Sequence, residues 1–101
     1  MNMNDYGRRA MTFAKYKSEY YPFFALAEET GEFLGKIAKE HRGDRYIPKE
    51  EKLKELGDIL WQLNACCIQM GSTLEEVAEI NLAKLEDRAE RGVLKGEGDN
   101  R

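Results

Sequence analysis

Between Pro48 and Gly71 the apolar residues Leu53, Leu56, Leu60, Leu63 and Cys67 recur at intervals of three and four, a spacing that only an α-helix gathers onto one side. The same spacing follows Pro22, where Phe23, Leu26, Ala27, Leu34, Ile37 and Ala38 form a stripe that fades near Glu40. Met3, Tyr6, Ala10 and Phe13 predict a first helix over roughly residues 2 to 17. Ser72 and Thr73, each followed three residues on by Glu75 or Glu76, offer overlapping capping boxes for a last helix, which runs to Arg91 and stops at Gly92. No segment alternates like a strand and no repeat is present. The expected fold is therefore all-α. The loop HRGDRYIP is short enough to return the chain on itself, so the second and third helices lie antiparallel in a four-helix bundle-like protomer. One domain spans residues 1–101, with a flexible glycine-rich tail, VLKGEGDNR, from about residue 93.

A chain of 101 residues builds only a modest core, so partner subunits are expected to complete it, as a homodimer or homotetramer. The net charge of -3 gives no broad attraction to nucleic acid. The longest charge-free run, Ile59 to Leu74, is too short and too interrupted by Gln62, Asn64 and Gln69 to span a membrane. MNMNDYGRRAM has no apolar signal-peptide core, and a cytoplasmic protein is expected. Cys66 and Cys67, adjacent within an apolar helical run, suit buried thiols better than a disulfide or a zinc site.

Against this background FFALAEETGEFLGKI stands out, because Glu28, Glu29 and Glu32 share one sector of an apolar helix with only Lys36 near. On the third helix Glu55 and Asp58 share a face with Gln62, and Asp58 precedes the uncharged run ILWQLNACCIQM. Antiparallel packing brings ExxE against ExxD. Carboxylates gathered in a partly dry place either take up protons or recruit a cation. Oxygen-only ligands favour magnesium or manganese over zinc or iron. A di-iron bundle needs Glu-x-x-His pairs, and the single histidine, His41, lies in the loop. Glutamates at such spacing also occur on plain solvated helix faces, and it is the two halves together that distinguish a site.

The fourth helix carries Asn81 at the centre of its apolar stripe, with Lys84 and Arg88 one and two turns on. One reading has Asn81 bonding backbone while the cations snorkel to water. The other has all three facing the carboxylates, an arrangement suited to a metal-bound polyphosphate. Trp61 reads as a core or subunit-contact aromatic, and Tyr6 and Phe13 as core or as base-stacking rings.

AEETGE followed by ELGDILW resembles the MazG-like nucleotide pyrophosphohydrolases, whose signature is EExxE, a variable spacer, then ExxD. Here 22 residues separate Glu32 from Glu55, and the similarity continues through EVAEINLAKLEDRAERGVLKG. The resemblance implies an all-α oligomer that hydrolyses a nucleoside or deoxynucleoside triphosphate to the monophosphate and pyrophosphate with magnesium. It implies Glu29, Glu32, Glu55 and Asp58 as metal ligands, and Glu28, Glu29 and Glu32 as catalytic acids, Glu28 not binding metal directly. Lys36, Gln62, Asn81, Lys84 and Arg88 become substrate contacts, with Lys95 and Arg101 as weaker ones. Two other functions are compatible with the same residues. One is a non-catalytic nucleotide-sensing or partner-binding module, and the other is hydrolysis of a different pyrophosphate bond, such as that of phosphoribosyl-ATP.

Overall fold

The computed structural model describes residues 1–92; the tail expected to be flexible, with Lys95 and Arg101, lies outside the described residues. The described chain is all-helical: α1 (Met3–Met11), α2 (Tyr21–His41), α3 (Lys49–Gln69) and α4 (Leu74–Glu90), with no strand. None of these helices is long and apolar enough to cross a membrane.

The α2/α3 hairpin is the frame. Its loop begins with Gly43 at φ 80°, a left-handed conformation that closes α2 through Gly43 N–H to Glu40 O and Asp44 N–H to Lys39 O, both 3.0 Å. Ile47 then turns wholly into the interior, contributing about 1.5–3 kcal/mol by burial. Its N–H donates to Glu40 Oε2 at 2.8 Å, and Lys52 Nζ lies 2.5 Å from the other oxygen of that carboxylate. Glu40 thus ties the end of α2 to the start of α3 and fixes their register. At the far end of α3, Gly71 at φ 73° makes the same kind of closure, with Ser72 N–H donating to Cys67 O at 2.8 Å. Thr73 caps α4 by accepting from Glu76 N–H at 3.1 Å, as the capping-box pattern predicted.

α1 ends at Met11, six residues short of the predicted end near residue 17. The last carbonyls of α1 are satisfied from outside the helical ladder: Thr12 Oγ1 donates to Arg9 O at 2.6 Å, and Trp61 Nε1 on α3 donates to Ala10 O at 3.1 Å. Thr12 and Phe13 N–H close tighter three-residue bonds at 3.2 Å, and the chain leaves the helix. Tyr16 is then held over α3, accepting from Gln69 Nε2 at 3.1 Å and meeting Trp61 edge-on.

Among the described helices α2 packs on α3 alone, whereas α1 and α4 pack on each other and on α3. The four helices are therefore an open arrangement, with one flank of α2 uncovered. Among the described residues, buried apolar side chains in the core are few: Ala10, Ala25, Ile47, Ala65, Cys66, Cys67 and Leu74. Both thiols are free and buried, as expected, and burial pushes each above its ordinary range. Phe24 stays 70% exposed, Leu34 56% and Leu53 53%, with Ile80, Leu82 and Leu85 also open on α4.

Candidate active site

Charged side chains meet in rungs along the α2/α3 seam. The rung nearest the loop is the Glu40–Lys52 pair. In the next, Lys36 Nζ lies 2.6 Å from Glu55 Oε1 and 3.0 Å from Glu51 Oε1, and Arg45 holds Glu51 at 2.9 Å. The third rung is all acid. Glu29, Glu32 and Glu55 each place a carboxylate oxygen so that the three lie within 4.8 Å of one another. They meet because Glu29 and Glu32 are one turn apart on α2, and Glu55 sits opposite them once Glu40 has set the register.

Among the described residues, no salt bridge reaches Glu29, Glu32 or Asp58. Burial, followed by the charges of Glu32, Asp58 and Glu55, pushes the Glu29 carboxyl above its ordinary range. Glu29 Oε2 and Glu55 Oε2 are both buried without a hydrogen-bond partner. Leaving such atoms unsatisfied costs about 1–3 kcal/mol each, more for a charged group. Two orphaned carboxylate oxygens in a cluster of oxygen donors fit a hard divalent cation, which would satisfy both and relieve the repulsion.

The predicted residues are not all gathered at that point. Asp58 is exposed but close enough for its charge to act on Glu29. Glu28 is exposed and outside the cluster. Lys36 is engaged by Glu55 and Glu51, whose bonds push its ammonium pKa up. Gln62 is buried, with Oε1 lacking any partner, and borders a cavity of about 420 Å³ beside Tyr16, Tyr21 and Trp61. Asn81 borders an apolar groove with Met3, Leu60, Leu63, Val77 and Ala78, and among the described residues it makes no hydrogen bond to the acids. Lys84 is half-buried and Arg88 buried on the same helix.

One contributor was not singled out from the sequence. Glu51 shares Lys36 with Glu55, and its position four residues before Glu55 was the available signal. Tyr6 of α1, read from the sequence as a core or base-stacking ring, has its phenol pKa raised by burial and then by the charge of Asp58.

The family model described as the MazG nucleotide pyrophosphohydrolase domain matches residues 23–93. The chain belongs to the MazG family. The match takes in both acidic halves, Glu29 with Glu32 and Glu55 with Asp58, and begins after α1. MazG enzymes hydrolyse nucleotide pyrophosphate bonds and are typically dependent on a divalent metal, in keeping with the acidic cluster. Gene 37 protein of Mycobacterium phage L5 is 38% identical over 85 residues, covering 80% of this chain and 75% of that protein. No solved structure matches the chain significantly.

Proposed function

We propose that this MazG domain hydrolyses a nucleoside or deoxynucleoside triphosphate between its α and β phosphates, releasing the monophosphate and pyrophosphate, with magnesium as the resident ion. The observation that carries this reading is the convergence of Glu29, Glu32 and Glu55 within 4.8 Å, with two of their oxygens buried and unpartnered. Glu29, Glu32, Glu55 and Asp58 would hold the ion, which supplies Lewis-acid charge opposite the phosphate oxygens. A carboxylate such as Glu29 or Glu32 would orient or deprotonate the attacking water. Glu28 would act from outside the ligand set. Lys36 holds Glu55 by a direct hydrogen bond and, with Gln62, Asn81, Lys84 and Arg88, is assigned to the substrate.

The same proposal includes a second copy of the chain. A protomer that buries so few apolar side chains and leaves Phe24, Leu34, Leu53, Ile80 and Leu82 more than half open is completed by a homodimer or homotetramer. The cytoplasm is the proposed setting. A panel of canonical and damaged triphosphates assayed with magnesium for released pyrophosphate tests the activity. Turnover of at least one member, abolished by chelation, is the expected outcome; a folded, magnesium-loaded sample that leaves the whole panel intact contradicts it.

A further inference from the structure

One turn beyond Asp58, about 6 Å along the α3 axis, Gln62 faces a cavity of about 420 Å³ between α3, the segment after α1, and the start of α2. Its walls are aromatic and fixed. Trp61 is anchored through Nε1 to Ala10 O at 3.1 Å, and Tyr16 through its hydroxyl to Gln69 Nε2 at 3.1 Å. Tyr16 and Tyr21 stack with centroids 5.7 Å apart, and Tyr16 meets Trp61 edge-on at 6.3 Å. Lys15 and Lys17 stand at the rim, exposed. Gln62 is only 7% exposed, and among the described residues its amide makes no hydrogen bond, with Oε1 buried and unpartnered. A buried amide beside aromatic walls suits a planar heterocycle, which offers a ring face for packing and an edge with both donors and acceptors.

We propose that this cavity is the nucleobase subsite of the chain, with Gln62 reading the hydrogen-bonding edge of the base and Tyr16, Tyr21 and Trp61 packing on its ring. The proposal rests on the nucleotide reading above and adds to it the part of the molecule that selects the base. Phosphates extending from a base so placed would run toward Asp58 one turn back and Glu55 two turns back along α3. Tyr16 and Tyr21 precede residue 23, where the family match starts, whereas Trp61 and Gln62 lie within it, so the subsite joins residues of the shared domain to residues before it.

Trp61 is the sole tryptophan, so its emission reports on the cavity without need of turnover. The full chain, with magnesium, is titrated with the monophosphates of adenosine, cytidine, guanosine and uridine, and separately with inorganic tripolyphosphate. Monophosphates are expected to change Trp61 emission saturably and unequally, and tripolyphosphate to leave it unchanged. Gln62→Leu should weaken monophosphate binding about tenfold and level the differences between bases, without lowering the melting temperature of the nucleotide-free protein. Tyr21→Ala, at an exposed ring, should weaken all four about tenfold. An equal response to tripolyphosphate, a Gln62→Leu protein with wild-type base preferences, or a marked loss of stability in that variant overturns the assignment. Triphosphate turnover in the same samples separates the two ideas. If Gln62→Leu hydrolyses triphosphates with wild-type base preference, the subsite falls and the hydrolase stands. If Trp61 titrates while no triphosphate is cleaved, the hydrolase falls and the subsite stands.

Discussion

Lys36 Nζ lies 2.6 Å from Glu55 Oε1, while the other oxygen of the same carboxylate is buried without a partner. Glu55 thus joins the neutralised part of the helix seam to the part that, among the described residues, has no cation. Lys36→Gln removes the only cation bonded to the cluster among the described residues. The metal-free melting temperature should fall by about 5 °C, and saturating magnesium should restore more of it than it adds to the wild type. Differential scanning calorimetry with and without the ion measures both.

Glu32→Gln and Asp58→Asn keep side-chain shape and remove the charge a cation needs. Each should lower kcat/KM for triphosphate hydrolysis by at least about 100-fold with an unchanged circular dichroism spectrum. In the metal-free protein Glu32→Gln should be at least as stable as the wild type, because Glu32 lies against Glu29 and Glu55.

Acid should act on metal-free and metal-loaded protein in opposite senses. Glu29 has a folded-state pKa above its unfolded value, so its stabilising contribution is full below the ordinary carboxylate pKa and is lost as pH rises through the raised one. In the metal-free protein this contribution grows on mild acidification. A bound cation needs the ionised form, so the magnesium-induced rise in melting temperature should shrink over the same interval. Glu29→Gln should remove that part of the metal-free pH dependence. Melting curves from neutral to mildly acidic pH, with and without magnesium, provide the check.

Glu40 has the opposite sign. Lys52, then the Ile47 N–H, hold its carboxyl below the ordinary range, so its contribution is present above the unfolded pKa and lost as pH falls through the depressed value. Glu40→Gln can still accept from Ile47 N–H but cannot attract Lys52. The variant should be less stable at neutral pH and should lose less stability in strong acid than the wild type, as read from urea midpoints across pH.

Gly7 lies against Asn64, which is 1% exposed and donates Nδ2 to Gly7 O at 3.2 Å. A Cβ at that position would stand 2.9 Å from Asn64 Oδ1. Gly7→Ala should therefore destabilise by about 1–3 kcal/mol despite its better helix propensity, measurable by urea unfolding.

Much of this arrangement was legible in the residues. Glu29 with Glu32, and Glu55 with Asp58, are pairs that a helix must place on one face, and a short loop between Glu40 and Pro48 left the antiparallel hairpin as the natural solution. What local pattern could not supply was register and tertiary capture. Lys36 lay within a turn of the acids in the sequence, but its bonds to Glu55 and Glu51 depend on the tertiary register of α2 against α3, which Glu40 helps to set. The apolar spacing through Phe13 promised a longer first helix, and a hydrogen bond from Trp61, fifty-one residues away, helps end it at Met11. Asn81 did lie in the stripe of α4, yet α4 turns onto α1 and α3 and leaves it beside Leu60 and Leu63.

The most direct measurement is a ³¹P NMR time course of a cleaved triphosphate with the wild-type chain and magnesium. Pyrophosphate and nucleoside monophosphate should appear together in equal amounts from the first turnovers and stop on chelation. Orthophosphate with the diphosphate, or equal rates from Glu32→Gln and Asp58→Asn, would contradict the assignment of these carboxylates to α–β cleavage.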